Sequence, residues 1–144
     1  MIGNVDLDLL EKTYQNASIG ITAIESVLDK ASNKEFSNDL NKQLRDYQEL
    51  ADKSKTRLLE NGAEVKEKSF YAKTMMKGNI KMNTIINSSD SHIAQMVIQG
   101  STMGVTQMTR LLHDNKNADG DCTQIAKEFV KKEEENIEVM KNYL

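Results

Sequence analysis

Apolar side chains recur along most of this chain at intervals of three and four residues, the spacing that collects them on one face of an α-helix. From about Asp6 to Ala31 the seam runs Leu10, Tyr14, Ala17, Ile21, Ile24, Leu28, Ala31. Ser32 followed by Glu35 has the spacing of a capping box, so a second helix is expected to start at once and close an αα-hairpin. Its seam is Phe36, Leu40, Gln43 or Leu44, Tyr47, Ala51, Ser54 and Leu58, and Asn61-Gly62 suits a left-handed C-terminal cap. A third segment carries Phe70, Met75, Met76, Ile80, Met82, Ile85 and Ile86 around a Gly78 that weakens a helix interior by roughly 1 kcal/mol. The run Asn87 to Ser91 breaks it and caps a fourth helix with Ile93, Met96, Val97, Gly100, Gly104, Met108 and Leu111 on its stripe. After a polar loop, Asp121 with Gln124 reads as the N-cap box of a last helix carrying Cys122, Ala126, Phe129, Val130, Ile137, Met140 and Leu144.

The predicted helices cover about 6–31, 33–61, 67–87, 90–113 and 121–144. At 1.5 Å per residue the long ones span about 36 to 43 Å, and the third, at about 31 Å, reaches back along their length. These dimensions predict one all-α domain over residues 1–144, an antiparallel four-helix bundle with a helical crossover segment.

Composition supports this class. The chain has no Pro, no Trp, three Phe and four Tyr, which disfavours a sheet-rich fold. A net charge of -3 with both signs interspersed excludes nucleic acid as an obligatory partner. The one cysteine, Cys122, forms no internal disulfide, and the opening residues hold neither a signal-peptide core nor a spanning apolar run. A cytoplasmic setting is the expectation.

Helix lengths, Asn61-Gly62 before the crossover and a Glu-rich last helix (Glu133, Glu134, Glu135, Glu138) resemble the ferritin-like superfamily, in particular its small bacterial families and the spore-coat proteins of coat-F type. The resemblance implies a ferritin-like bundle. A ferritin-like di-iron site takes a carboxylate from each of two helices and a Glu-x-x-His pair from each of the other two. Here no His stands at the needed spacing, and between Ser91 and His113 there is no carboxylate; the polar residues at the expected depth are the neutral Gln95, Gln99, Ser101 and Thr102. An intact metal centre and any other cofactor are therefore not expected. The resulting expectation is a non-enzymatic structural or interaction protein with a protein partner or self-association. One alternative is a metal-binding oxidoreductase or iron-storage protein using Glu25, Glu49, Glu133 and Glu135.

Other features change the picture less. Lys73, Lys77 and Lys81 recur every fourth residue opposite the Met and Ile face of the crossover, which makes a membrane surface a second alternative partner. The loop from Asn115 to Asp121 imitates a calcium loop, but Ala126 stands where the closing carboxylate belongs. Gly100 and Gly104 leave room for a large residue opposite, such as Tyr14 or Tyr47, or for a small apolar cavity beside Met96, Met103 and Met108. Tyr14, Tyr47, Gln99 and Glu133 fall on or beside the seams and predict a hydrogen-bonded polar layer at the bundle centre.

Overall fold

The computed structural model describes residues 3–66, 89–118 and 120–144. Among these residues there are four α-helices: α1 (Asn4–Val27), extended by a 3-10 turn at Leu28–Lys30, α2 (Lys34–Glu60), α3 (Asp90–Asp114) and α4 (Gly120–Lys141). The all-α class follows directly. The expected crossover helix at 67–87, with Lys73, Lys77 and Lys81, lies outside the described residues.

The helix ends show which side chains satisfy the orphan backbone groups. The α1 entry is closed by the Asp6 carboxylate, which accepts from the Gly3 N–H at 3.2 Å. At the start of α2 the cap is Asn33 and not Ser32: its Oδ1 accepts from Glu35 N and Phe36 N at 2.8 and 3.3 Å. The amides of Ser32 and Asn33 instead donate to the two carboxylate oxygens of Asp90, at 2.9 and 3.0 Å. At the far end Gly62 adopts φ +73°, and the bonds Ala63 N to Leu58 O and Gly62 N to Leu59 O complete a Schellman motif. Asp121 sits inside the first turn of α4 and meets Arg57 at 3.2 Å, so it does not act as the expected N-cap.

Contacts along the helices give their directions. Between α2 and α4 the pairs Arg57–Asp121, Lys53–Glu128, Tyr47–Glu133, Asp46–Asn136 and Asp39–Tyr143 run in opposite numerical order, so these helices are antiparallel. Asn16–Gln107 and Ser32–Asp90 show the same for α1 and α3. Consequently α3 starts at the end of the bundle where α2 also starts, and the chain between α2 and α3 connects opposite ends. Packing is most extensive between α1 and α2 and between α3 and α4.

The buried faces meet in one core that follows the predicted seams. Leu10, Tyr14, Ala17, Ile21 and Ile24 of α1 face Phe36, Leu40, Tyr47, Ala51 and Leu58 of α2, with Ala126, Phe129 and Met140 supplied by α4. At the end of the bundle Tyr143 packs on Phe36 with ring centroids 4.6 Å apart and donates its hydroxyl to Asp39. Among the described residues no helix is long and apolar enough to cross a membrane.

Candidate functional site

Four polar side chains occupy core positions halfway along the bundle. Gln43 and Tyr47 are one turn apart on α2, Ser101 comes from α3, and Glu133 interrupts the apolar stripe of α4 between Phe129 and Met140. Heptad phasing forces all four inward, and none is more than 5% exposed. A buried polar group without a partner costs about 1 to 3 kcal/mol, and these four largely supply one another. Tyr47 donates its hydroxyl to Glu133 Oε1, and Ser101 Oγ donates to the same oxygen at 3.3 Å. Behind them Gln43 Nε2 donates to Tyr47 Oη at 3.1 Å and to Ser101 Oγ at 3.3 Å.

Two glycines make room for this layer. The Tyr47 ring rests on Gly20 of α1, where a Cβ would come within 2.6 Å of it. Gly104 of α3 faces Glu133 Oε2 and the Phe129 ring, at 3.0 and 3.4 Å from an added Cβ. The residue opposite Gly104 is therefore Phe129 with Glu133, not Tyr14 or Tyr47. A Cβ added at Gly100 would meet nothing within 4 Å among the described residues.

Burial sets the electrostatics of the layer. It pushes the Glu133 carboxyl up to about 7, against the hydrogen bonds from Tyr47 and Ser101, with the nearby Asp46 charge adding to the rise. Burial and the Glu133 charge likewise raise the Tyr47 hydroxyl well above its ordinary value, so it stays a donor. Asp46 has its own cations: Lys42 at 2.9 Å and Lys132 at 3.9 Å, with Asn136 donating at 3.4 Å. Glu133 thus holds a proton that it can gain or lose close to neutrality.

The layer forms part of the wall of a cavity of about 780 Å³ bordered mainly by α1 and α3. Its wall is largely apolar, with Ile19, Ala23 and Ile24 on one side and Met96, Val97 and Met103 on the other. Lining residues from Lys12 to Val27 of α1 give it a length of roughly 22 Å at 1.5 Å per residue. Size and lining are those of a small-molecule site.

Of the expected layer, Tyr47 and Glu133 stand where the seams put them. Gln99 does not: it is exposed, and Ser101 takes the inward position. Tyr14 is buried but lines a cleft between α1 and α2 with Ser18, Ile21 and Ala51. Met96 and Met103 border the expected cavity, whereas Met108 is fully buried in the core. The structure does not gather the four carboxylates of the metal alternative. Glu133 is buried, but Glu25, Glu49 and Glu135 are exposed, and Glu49 pairs with Lys53 at 3.3 Å. Among the described residues no group of three or more His, Cys, Asp or Glu side chains could hold a metal ion.

Sequence reasoning left two members of the site without a role, Ser101 and Gly20. A signal existed for the first, since Val97, Ser101, Gly104, Met108 and Leu111 keep alternating spacings of four and three. Gly20 carried none, because a glycine shows nothing of what packs on it. Compared with known proteins, the chain matches no family model and no curated protein.

Proposed function

We propose that this chain is a non-enzymatic binding protein on a ferritin-like bundle, whose central cavity receives an apolar small molecule. The observation that carries this reading is the placement of Gln43, Tyr47, Ser101 and Glu133 in the wall of a largely apolar cavity of about 780 Å³. In a ferritin-like metal centre the inward carboxylates point at ions. Here the inward carboxylate is bound by hydroxyls of the chain itself, and hydrophobic volume lies beside it. An apolar wall with a few convergent polar groups is the general form of a small-molecule site. The ferritin-like arrangement is supported by the direction of the helices, with α2 and α3 starting at the same end and the intervening chain joining opposite ends.

The test is titration with the neutral fluorophore N-phenylnaphthylamine, whose emission rises on entering an apolar site. Saturable enhancement is expected, weakened at least about tenfold by Gly100→Phe. That substitution directs a ring from an open position into the cavity. It also replaces a poor helix former, so the fold is retained. Absence of saturable binding, or equal binding by Gly100→Phe, would refute the reading.

A further inference from the structure

The hydrogen bonds of the polar layer are unevenly distributed. Glu133 Oε1 receives both Tyr47 and Ser101, while among the described residues Glu133 Oε2 accepts no hydrogen bond. Oε2 lies over Gly104 of α3, where a Cβ would stand 3.0 Å from it. Gln43 shows the same imbalance: Nε2 serves Tyr47 and Ser101, and Oε1 is fully buried without a donor. Both side chains line the cavity. The wall of an apolar cavity thus includes a carboxylate with one uncommitted acceptor oxygen, while the donors of the layer are already committed. A carboxylate taken out of water is stabilised only by a cation or by donors, and an acceptor left bare in such a place is costly.

Resting on the ligand-binding reading, we infer that the cavity takes an apolar molecule bearing one protonated amine, with its ammonium against Glu133 Oε2 and its body along α1 and α3. An ammonium carries donors and no acceptor, so it complements this wall, whereas a carboxylate would face Glu133 with like charge. A hydroxyl would supply a single donor and no charge. Ile19, Ala23 and Ile24 on one side and Met96, Val97 and Met103 on the other surround the body, the methionines adapting to its shape. The raised carboxyl of Glu133 agrees with this, because a buried acid that lacks a cation is held partly protonated and a cationic ligand restores its charge. Lys12 and Arg110 also line the cavity, and they supply the competing outcome: an anionic amphiphile held by its head at that end.

Three probes with one apolar body separate these cases: naphthylethylamine, naphthylethanol and naphthylacetate, followed by their own fluorescence at about pH 8, where a carboxyl titrating near 7 is mostly charged. The chain has no Trp to interfere. The amine is expected to bind at least about tenfold more tightly than the alcohol, and the acid more weakly than either. Glu133→Gln, close in shape, should remove the preference for the amine over the alcohol. Equal binding of amine and alcohol by the wild type, preference for the acid, or an amine preference that survives Glu133→Gln would each overturn the inference. The first comparison needs no variant, so it stands even if Glu133→Gln fails to fold. Binding of the alcohol without any amine preference would end this inference alone, whereas failure of all three probes would also end the reading on which it rests.

Discussion

The ring of Tyr47 rests on the backbone of Gly20: a Cβ added there would stand 2.6 Å from the ring atoms Cε2 and Cζ. That contact aims the Tyr47 hydroxyl at Glu133, and the hydroxyl is also held by Gln43 at 3.1 Å, so the ring cannot turn aside freely. Gly20→Ala therefore sets two effects against each other. Helix propensity favours Ala by about 1 kcal/mol, and overpacking a core costs about 1 to 3 kcal/mol. A net loss of up to about 2 kcal/mol is expected in urea unfolding. Gly100→Ala, at an open position of α3, should instead raise stability. Equal gains at both glycines would show that the Tyr47 ring is free to move.

Glu133 makes stability depend on pH in an unusual direction for an acid. Its folded carboxyl lies at about 7, above the ordinary value of 4.5, so between those values the folded chain binds more protons than the unfolded one. Stability from this group is complete below the unfolded value, falls as pH rises through 7, and is level above it. A shift of this size corresponds to about 3 kcal/mol. The groups acting on it are the hydroxyls of Tyr47 and Ser101, which donate to it, and the charge of Asp46, which is in turn balanced by Lys42 and Lys132. Glu133→Gln should remove the dependence: its stability relative to wild type, measured by urea unfolding, rises from about pH 5 to about pH 8. A pH-independent difference would mean that Glu133 is charged throughout.

The elements and the site differed in how much the chain disclosed. Seams such as Leu10-Tyr14-Ala17-Ile21-Ile24 are legible because burial on one helix face leaves a periodic trace, and the core follows them. Tyr47 and Glu133 are legible for the same reason, as polar residues standing in apolar register. On α3 the trace is weaker. Gln95, Gln99, Ser101 and Thr102 are all neutral, and only Ile93, Ala94, Ser101, Gly104 and Met108 are buried along its length, so a long side chain at Gln99 reads as the better layer residue. Ser101 wins because Glu133 and Tyr47 already fill the centre and leave space for a small hydroxyl. The α2 cap falls on Asn33 and not Ser32 for a different reason: both can cap, and the contact of their amides with Asp90 comes from a distant part of the chain.

Ferrous iron tests whether the layer can hold a metal. Glu133 Oε1 holds the hydroxyls of Tyr47 and Ser101, and Glu25, Glu49 and Glu135 face outward, so a bound ion would have to displace internal donors and draw in exposed acids. Iron oxidation in air is expected to proceed at the rate of buffer alone, and Glu133→Ala should leave that rate unchanged. Saturable uptake of iron that Glu133→Ala abolishes would favour the metal-binding alternative over the reading proposed here.

Asp90 ties the start of α3 to the turn between α1 and α2. Its two oxygens accept from the amides of Ser32 and Asn33 at 2.9 and 3.0 Å, a charge-assisted pair that also places a negative charge in the first turn of α3. Charged hydrogen bonds contribute more than neutral ones, but these are exposed and partly screened, so Asp90→Asn is expected to cost about 1 kcal/mol. The amide keeps one acceptor and turns an N–H toward the other backbone donor. The loss should be local as well as global: hydrogen exchange at Ser32 and Asn33 accelerates, while amides in the middle of α2 slow or quicken only with overall stability. Asp29, in the adjoining 3-10 turn, provides the control, because its side chain is 83% exposed and reaches only Lys30 at 3.7 Å. Asp29→Asn should change neither measurement, and if both substitutions accelerate exchange equally, net charge at this end of the bundle rather than the Asp90 contact would be what holds the turn.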